Sequence, residues 1–160
     1  MTRTVPSQET LQKAADAKLR MLQHLPDDGD LSLIVLKGHL LIEELLLALV
    51  QAQVKHPAAI ESAKLSFHTL TCLAKALCFE ERFKDLWEAM FKLNALRNSL
   101  AHNLESPEHE KRLRAFALAV SGGDKRAEDH IAKEPRTTMI NSISVICGFL
   151  IGLSFRLSAS

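Results

Sequence analysis

The sequence predicts an all-α fold, a bundle of four to six helices. Apolar residues recur with a period near 3.6 over long segments, strand-like alternation is poor, and tyrosine, a residue favoured in strands, is absent. Prolines and glycines divide these segments into pieces of helix length. We therefore predict one helical domain over residues 1–160, with a core bundle at about 30–120 and an apolar C-terminal helix at about 137–157.

Start and stop signals place the first helices. Ser7 is a favourable N-cap for a helix that runs to about His24, before a turn of proline, aspartate and glycine residues. A second, strongly apolar helix begins after Asp30, runs to about Val54 and stops ahead of Pro57. Because almost all of its positions are apolar, we expect it to be the central helix of the bundle.

The later helices follow from the same kinds of signal. Ser66 is the N-cap of a helix that ends near Leu77, and the next helix runs over about 80–102. The run Ser106-Pro107-Glu108 starts another helix, which Gly122-Gly123 closes. A short polar helix at about 124–133 then precedes Pro135 and the terminal helix.

The terminal helix has two interpretations. No charged residue lies between Arg136 and Arg156, and Gly148 and Gly152 have the small-xxx-small spacing of close-packed membrane helices. Its serines and its marginal length favour instead a buried core helix whose glycines let a neighbouring backbone approach closely, either within the chain or across a subunit boundary. We expect the buried helix, and no membrane span.

Charge and cysteine content limit the functional classes. Lys plus Arg number 20 and Asp plus Glu number 19, so the net field does not attract nucleic acid and any such binding needs a local site. The three cysteines, Cys72, Cys78 and Cys147, form no Cys-x-x-Cys pair, and the histidines have no zinc-ligand spacing. The N-terminus has no apolar signal core. We expect a cytoplasmic protein with reduced cysteines, no metal and no other cofactor.

The helix at about 80–102 carries the most distinctive residues. At ~100° per residue, one face of this helix carries three aromatic residues followed by three polar ones. They are Phe83, Trp87, Phe91, Asn94, Asn98 and His102. Leaving Trp87 and Phe91 in water forgoes roughly 2 kcal/mol each, so this face is expected to be covered, by another helix or by a second subunit. The polar residues then lie at a sheltered seam, with Arg97 on its flank.

Arg97 and His102 bring a permanent cation and a titratable base to one small region, a pairing suited to phosphodiester chemistry. A structural interpretation stays open beside this one. Asparagine and histidine near a helix end often only cap the helix, and Arg97 can pair with Glu105 or Glu108.

The stretch Leu96–His102, Leu-Arg-Asn-Ser-Leu-Ala-His, resembles the signature of the HEPN superfamily. In that signature an arginine, usually followed by a polar residue, precedes a histidine by four to six residues. The likeness in helix order covers about residues 30–120, and the segment Lys37–Glu44 looks like the earlier helix of such proteins, which often brings an acidic side chain near the motif.

The resemblance implies an all-α, commonly dimeric domain in which the motifs of two protomers line one cleft. Many members are metal-independent endoribonucleases, often toxins, and others are noncatalytic binding or regulatory modules. By position, Arg97 would steady the phosphate and its developing charge, and His102 would exchange a proton with the ribose 2′-hydroxyl or the leaving oxygen. Asn98 would orient the phosphate or the histidine.

Two further groups of residues are candidates for supporting roles. His39 and Glu43 are i, i+4 neighbours, which predicts a hydrogen-bonded pair that either is a satisfied polar contact or orients the motif, together with Asn94. A basic cluster, Lys111, Arg112 and Arg114, can hold an RNA backbone or can be a solvated face diluted by neighbouring glutamates.

From these observations we expect a homodimeric, HEPN-like endoribonuclease acting on RNA, in a toxin–antitoxin or phage-defence setting with an antitoxin or regulatory protein as partner. The alternative is a noncatalytic dimeric regulatory module, similar to the mannitol-repressor-like proteins, in which the polar residues bind a partner or seal the dimer.

Overall fold

The computed structural model describes residues 23, 30–102, 107–124 and 126–158, and the side chains of His102 and Ser158 are not among the described parts. Within these ranges the chain is all-helical, as predicted, with seven α-helices and no strand. They are α1 (Leu31–Gln53), α2 (Pro57–Ser62), α3 (Phe67–Cys78), α4 (Lys84–His102), α5 (Glu108–Val120), α6 (Arg126–Lys133) and α7 (Pro135–Ser158), with a 3-10 turn at Glu81–Phe83 before α4. The helix predicted at Ser7–His24 lies outside the described residues.

Local signals account for several of the helix ends. Ser66 caps α3 by accepting a hydrogen bond from the Thr69 amide at 3.2 Å, as its position predicts. After α5, Gly122 and Gly123 adopt φ angles of 64° and 82°, and the Gly123 amide donates to the Leu118 carbonyl at 2.8 Å. This left-handed closure is the kind that favours glycine over residues with a Cβ atom.

Helix α2 was not predicted. Pro57 was interpreted as a stop signal for the preceding helix, but it is also the first residue of α2, where its missing N–H group costs nothing. The six residues of α2 bury none of their side chains completely, so this short helix has no apolar stripe by which a periodicity argument would find it.

The core is built around α1 and α7. Helix α1 buries Ile34, Val35, Ile42, Leu46, Leu49 and Val50. Helix α7 contributes Met139, Ile143, Ile146, Cys147, Leu150 and Leu153, all 2% exposed or less. The C-terminal helix is therefore part of the same core as the segment at 30–120. Burial raises the pKa of the Cys147 thiol to about 12, which keeps it protonated and unreactive at neutral pH.

Gly38 marks the closest approach of α1 to α7. A Cβ atom added at Gly38 would lie 2.8 Å from Ile143 Cγ1 and closer still to Ile143 Cδ1, so only glycine fits without movement of its neighbour. Gly148 and Gly152 do not have this role, because an added Cβ atom at either position would meet nothing within 4 Å. The expectation that these two glycines admit a neighbouring backbone is therefore wrong for the described residues of this chain, and an approach by a second subunit stays a prediction.

Helix α7 is also the one described helix that is long and apolar enough to cross a membrane, with a mean hydropathy of 1.8 in its most apolar window. Its face toward α1 is buried in the core, whereas Asn141, Val145, Gly148 and Gly152 are exposed. This distribution is that of a helix packed on one side, not of a helix that is apolar all round.

The Gly38 contact leads to a stability prediction. We expect Gly38→Ala to lower the free energy of unfolding by about 1–2 kcal/mol, because overpacking against Ile143 outweighs the ~1 kcal/mol gain in helix propensity. Gly148→Ala is the matched control: it makes the same change in open space and should stabilise the protein by about 0.5–1 kcal/mol. Urea unfolding of both variants measures the difference.

Ile143→Val, which removes Cδ1, tests the assigned cause. In a double-mutant cycle, the loss from Gly38→Ala should be smaller in the Ile143→Val background than in the wild type. Equal losses in the two backgrounds, or equal effects of alanine at Gly38 and Gly148, would show that Ile143 is not the obstacle.

Candidate functional site

The aromatic face of α4 is covered by the same chain. Trp87 is completely buried and makes an edge-to-face contact with Phe149 of α7, with ring centroids 5.4 Å apart. Phe91 is half-buried, and its ring lies 5.1 Å from the imidazole of His68 on α3. Each of these aromatic side chains is therefore covered by another helix of the same chain. This is one of the two possibilities, a helix or a second subunit, that the sequence left open.

His39 of α1 and Asn94 of α4 form the buried polar contact of the site. The His39 Nε2–H group donates to Asn94 Oδ1 at 3.2 Å, and His39 is only 5% exposed. The predicted pairing of His39 with Glu43 is wrong, because the imidazole turns toward α4 and its hydrogen-bond partner is Asn94 instead. The contact joins two helices, whereas the i, i+4 argument considered one helix alone.

The environment of His39 favours the neutral imidazole. Burial lowers the pKa of His39, and the nearby positive charge of Arg97 lowers it further, although the hydrogen bond with Asn94 acts in the opposite direction. The ring of Phe67 stacks on the imidazole with centroids 4.0 Å apart and planes at 25°. The Phe67 ring thus packs on one face of the His39 imidazole, and Asn94 Oδ1 accepts a hydrogen bond at its edge. Because His39 is buried, we interpret it as a residue that positions Asn94.

Arg97 lies half-buried beside this contact. Its Nη1 donates to Asn98 Oδ1 at 3.2 Å, and among the described residues no carboxylate lies within ion-pair distance of its guanidinium. Glu43 of α1 is near enough for Arg97 to lower its pKa, but burial has the larger effect and the pKa of Glu43 is raised. Arg97, Asn98, Asn94, His39 and Glu43 therefore share one region where α1 meets the second half of α4.

The remaining motif residue is only partly described. His102 is the last residue of α4, and the position of its imidazole relative to Arg97 lies outside the described side chains. Glu105, one of the two acids that can pair with Arg97 according to the sequence, also lies outside the described residues. The other, Glu108, pairs with Lys111 at 3.8 Å.

No hydrogen bond or ion pair between described side chains joins the basic cluster on α5 to this region. Lys111 pairs with Glu108 and Arg114 pairs with Glu110 at 2.9 Å, as a solvated face would. Arg112 differs, since its Nε atom is buried and has no hydrogen-bond partner within the described part of the chain. The RNA-backbone role of Lys111, Arg112 and Arg114 stays a prediction.

Within the described residues, no group of three His, Cys, Asp or Glu side chains is placed to hold a metal ion. Comparisons with protein-family models, with curated proteins and with solved structures found no match to this chain. The evidence for function is therefore the motif and the geometry of the region around Arg97.

The sequence did not indicate that Phe67 belongs to this region, although its ring stacks on the His39 imidazole. A signal for it existed: Phe67 directly follows the cap Ser66, and the first residue of a capped helix is well fixed in space. What the sequence lacks is any indication that the start of α3 meets the middle of α1.

The lowered pKa of His39 predicts a pH dependence of stability. Folding keeps this imidazole neutral, so below the ordinary histidine pKa of 6.5 the unfolded chain takes up the proton more readily. The free energy of unfolding should be highest above that pH and should fall as the pH drops from 7.5 to 5.5. In His39→Gln, which keeps an amide donor for Asn94 but does not titrate, the free energy of unfolding should fall less steeply with decreasing pH. Urea titrations at several pH values measure both slopes, and identical slopes would contradict the assignment.

Proposed function

We propose that this chain is a cytoplasmic, metal-independent endoribonuclease of HEPN type, a component of a toxin–antitoxin or phage-defence system. The resemblance of Leu96–His102 to the HEPN signature supports the activity and the substrate class. The helical bundle agrees with the fold that the resemblance implies. An antitoxin or regulatory protein would be its partner in the cell.

The observation that carries the proposal is the state of Arg97. Arg82, Arg114 and Arg126 each pair with a carboxylate at 2.7–2.9 Å. Arg97 instead donates to a neutral amide in a half-buried position, so its charge is not neutralised by a hydrogen-bonded acid of the described chain. A planar guanidinium of this kind is suited to an anionic group that presents two oxygens for bidentate contact, such as a phosphodiester.

In the proposed reaction, the ribose 2′-hydroxyl attacks the adjacent phosphorus and the bond to the 5′-oxygen breaks, leaving a 2′,3′-cyclic phosphate and a 5′-hydroxyl end. Arg97 binds the phosphate oxygens and stabilises their developing charge, and His102 exchanges a proton with the attacking or leaving oxygen. Asn98 fixes the guanidinium. His39, through Asn94, and Glu43, through its charge, are positioning residues.

We further propose that two copies of the chain pair through the outer face of α1. Leu33, Leu36 and Leu40 are 41%, 37% and 57% exposed, at spacings that place them along one side of the helix. Glu43 follows Leu40 by three residues, so this apolar face continues into the region of Arg97. Pairing there would bring two copies of the site together, and it would also serve the alternative function, a noncatalytic dimeric regulatory module.

The ribonuclease proposal predicts cleavage of structured RNA in the presence of EDTA. Arg97→Gln and His102→Ala should each lower the cleavage rate by about 10²–10⁴-fold, because each removes charge stabilisation or proton transfer from the transition state. Gel analysis of end-labelled RNA under single-turnover conditions measures the rates, and circular dichroism verifies the fold of each variant.

Arg82→Gln is the control for nonspecific loss of positive charge, since Arg82 is a surface arginine paired with Glu80. It should cleave like the wild type. If the wild type never cleaves, or if both motif variants cleave as fast as the wild type, the nuclease proposal fails and the regulatory module remains.

The proposed dimer predicts a mass change on substitution in α1. Leu36→Glu/Leu40→Glu should convert a dimer to a monomer in sedimentation equilibrium, because two carboxylates would be desolvated at the interface. Leu77→Glu is the control, as Leu77 is 47% exposed and belongs to a different helix, α3. A wild-type monomer at high micromolar concentration, or a dimer lost equally in the control, would contradict this interface.

A further inference from the structure

A cavity of about 270 Å³ lies where α1, α4, α5 and α6 meet the first residue of α7. Four of its lining residues, Val35, Leu96, Leu113 and Ile131, belong to the core and are 4% exposed or less. The rest of the lining is partly or fully exposed, so the cavity reaches from the surface into the apolar core. None of the residues that form the region around Arg97 lines it, so this cavity is separate from the proposed nuclease site.

His109 is the unusual residue of this lining. The Nε2 atom of its imidazole is buried and has no hydrogen-bond partner among the described residues. A buried polar atom without a partner is unfavourable, so a bound molecule that supplies the partner gains binding free energy from it. No hydrogen bond at Nε2 fixes the ring, and the Cβ–Cγ torsion of a histidine is soft. The ring can therefore turn this nitrogen toward the cavity that it already lines.

The charge of the lining is already paired. Glu110 is the one acidic residue there, and its Oε1 atom accepts a hydrogen bond from Arg114 Nη2 at 2.9 Å. The cavity thus offers an apolar wall and one hydrogen-bonding nitrogen, a combination that suits an uncharged ligand with a single polar group. An imidazole nitrogen donates in one neutral tautomer and accepts in the other, and a hydroxyl group can pair with either.

We propose that this cavity binds a small neutral molecule with an apolar body and one hydroxyl group, of the phenol class. The hydroxyl group pairs with His109 Nε2, and the body lies against Leu96 and Leu113. Size supports the choice. An apolar protein cavity of roughly 150 Å³ accepts benzene, so this larger cavity has room for a benzene ring with two substituents.

The probes that test this proposal are p-cresol and p-xylene, which have the same shape and differ by a hydroxyl in place of a methyl group. Titration of each into the full-length, ¹⁵N-labelled chain, followed by NMR, should give saturable shifts at the residues of α4, α5 and α6 that line the cavity. Water also solvates the hydroxyl group of p-cresol, so the informative quantity is the ratio of the two affinities, compared between the wild type and a variant.

His109→Leu removes the hydrogen-bonding nitrogen and keeps an apolar side chain. It should shift the affinity ratio about five-fold toward p-xylene, because the hydroxyl group of p-cresol loses its partner. The variant should be at least as stable as the wild type in urea, since the nitrogen it removes has no partner in the free protein. His130→Leu is the control: His130 is an exposed histidine on α6 outside the lining, and its loss should leave the ratio unchanged.

Ala132→Leu tests the location by size. Ala132 is an exposed residue of the lining, and a larger side chain there should weaken binding of both probes by about three-fold or more, because it occupies part of the cavity. Ala127→Leu makes the same change on the same helix at a position outside the lining, and it should weaken neither probe.

The proposal is overturned by any of four results. These are no saturable shifts up to about 1 mM of either probe, shifts confined to residues away from the lining, the same affinity ratio in the wild type and His109→Leu, or unchanged affinities in Ala132→Leu. Because these readouts involve neither RNA nor Arg97, their outcome is separate from that of the nuclease assay.

Discussion

The close contact between Gly38 and Ile143 is the constraint on which the rest of the structure depends. It lets α1 and α7 approach so closely that the buried apolar side chains of the two helices form one core. It also fixes the rotation of α1 about its own axis. His39 follows Gly38 directly, so when Gly38 faces α7, the next side chain is turned toward α3 and α4. The polar contact with Asn94 is therefore a consequence of the apolar contact behind it.

In the region around Arg97, burial affects the titratable side chains differently from the arginine. Desolvation is the largest effect on both titratable groups that α1 brings there. It lowers the pKa of the His39 imidazole and raises the pKa of the Glu43 carboxyl, so it disfavours the charged form of each. Arginine cannot respond in this way, since it stays protonated. Among the described side chains, Arg97 donates to the neutral amide of Asn98 and has no carboxylate within ion-pair distance. The proposed function assigns this guanidinium to an anionic substrate.

The region around Arg97 is a local feature of a chain whose 20 basic and 19 acidic residues nearly balance. A balanced charge composition argues against attraction of a ligand by the electrostatic field of the whole chain. It is compatible with recognition through short-range contacts, which are strongest where water is excluded.

The fold class and most helix boundaries follow from the amino-acid sequence, because caps such as Ser66 and left-handed glycines such as Gly122 act on the residues next to them. The helical period likewise places Asn94 and Asn98 on one face of α4. Which element covers a face follows only from the packing: α7 covers Trp87, Gly38 and not Gly148 lies at a helix contact, and His39 contacts Asn94 and not Glu43. These contacts join residues far apart in the chain, and their energies depend on packing that no local pattern encodes.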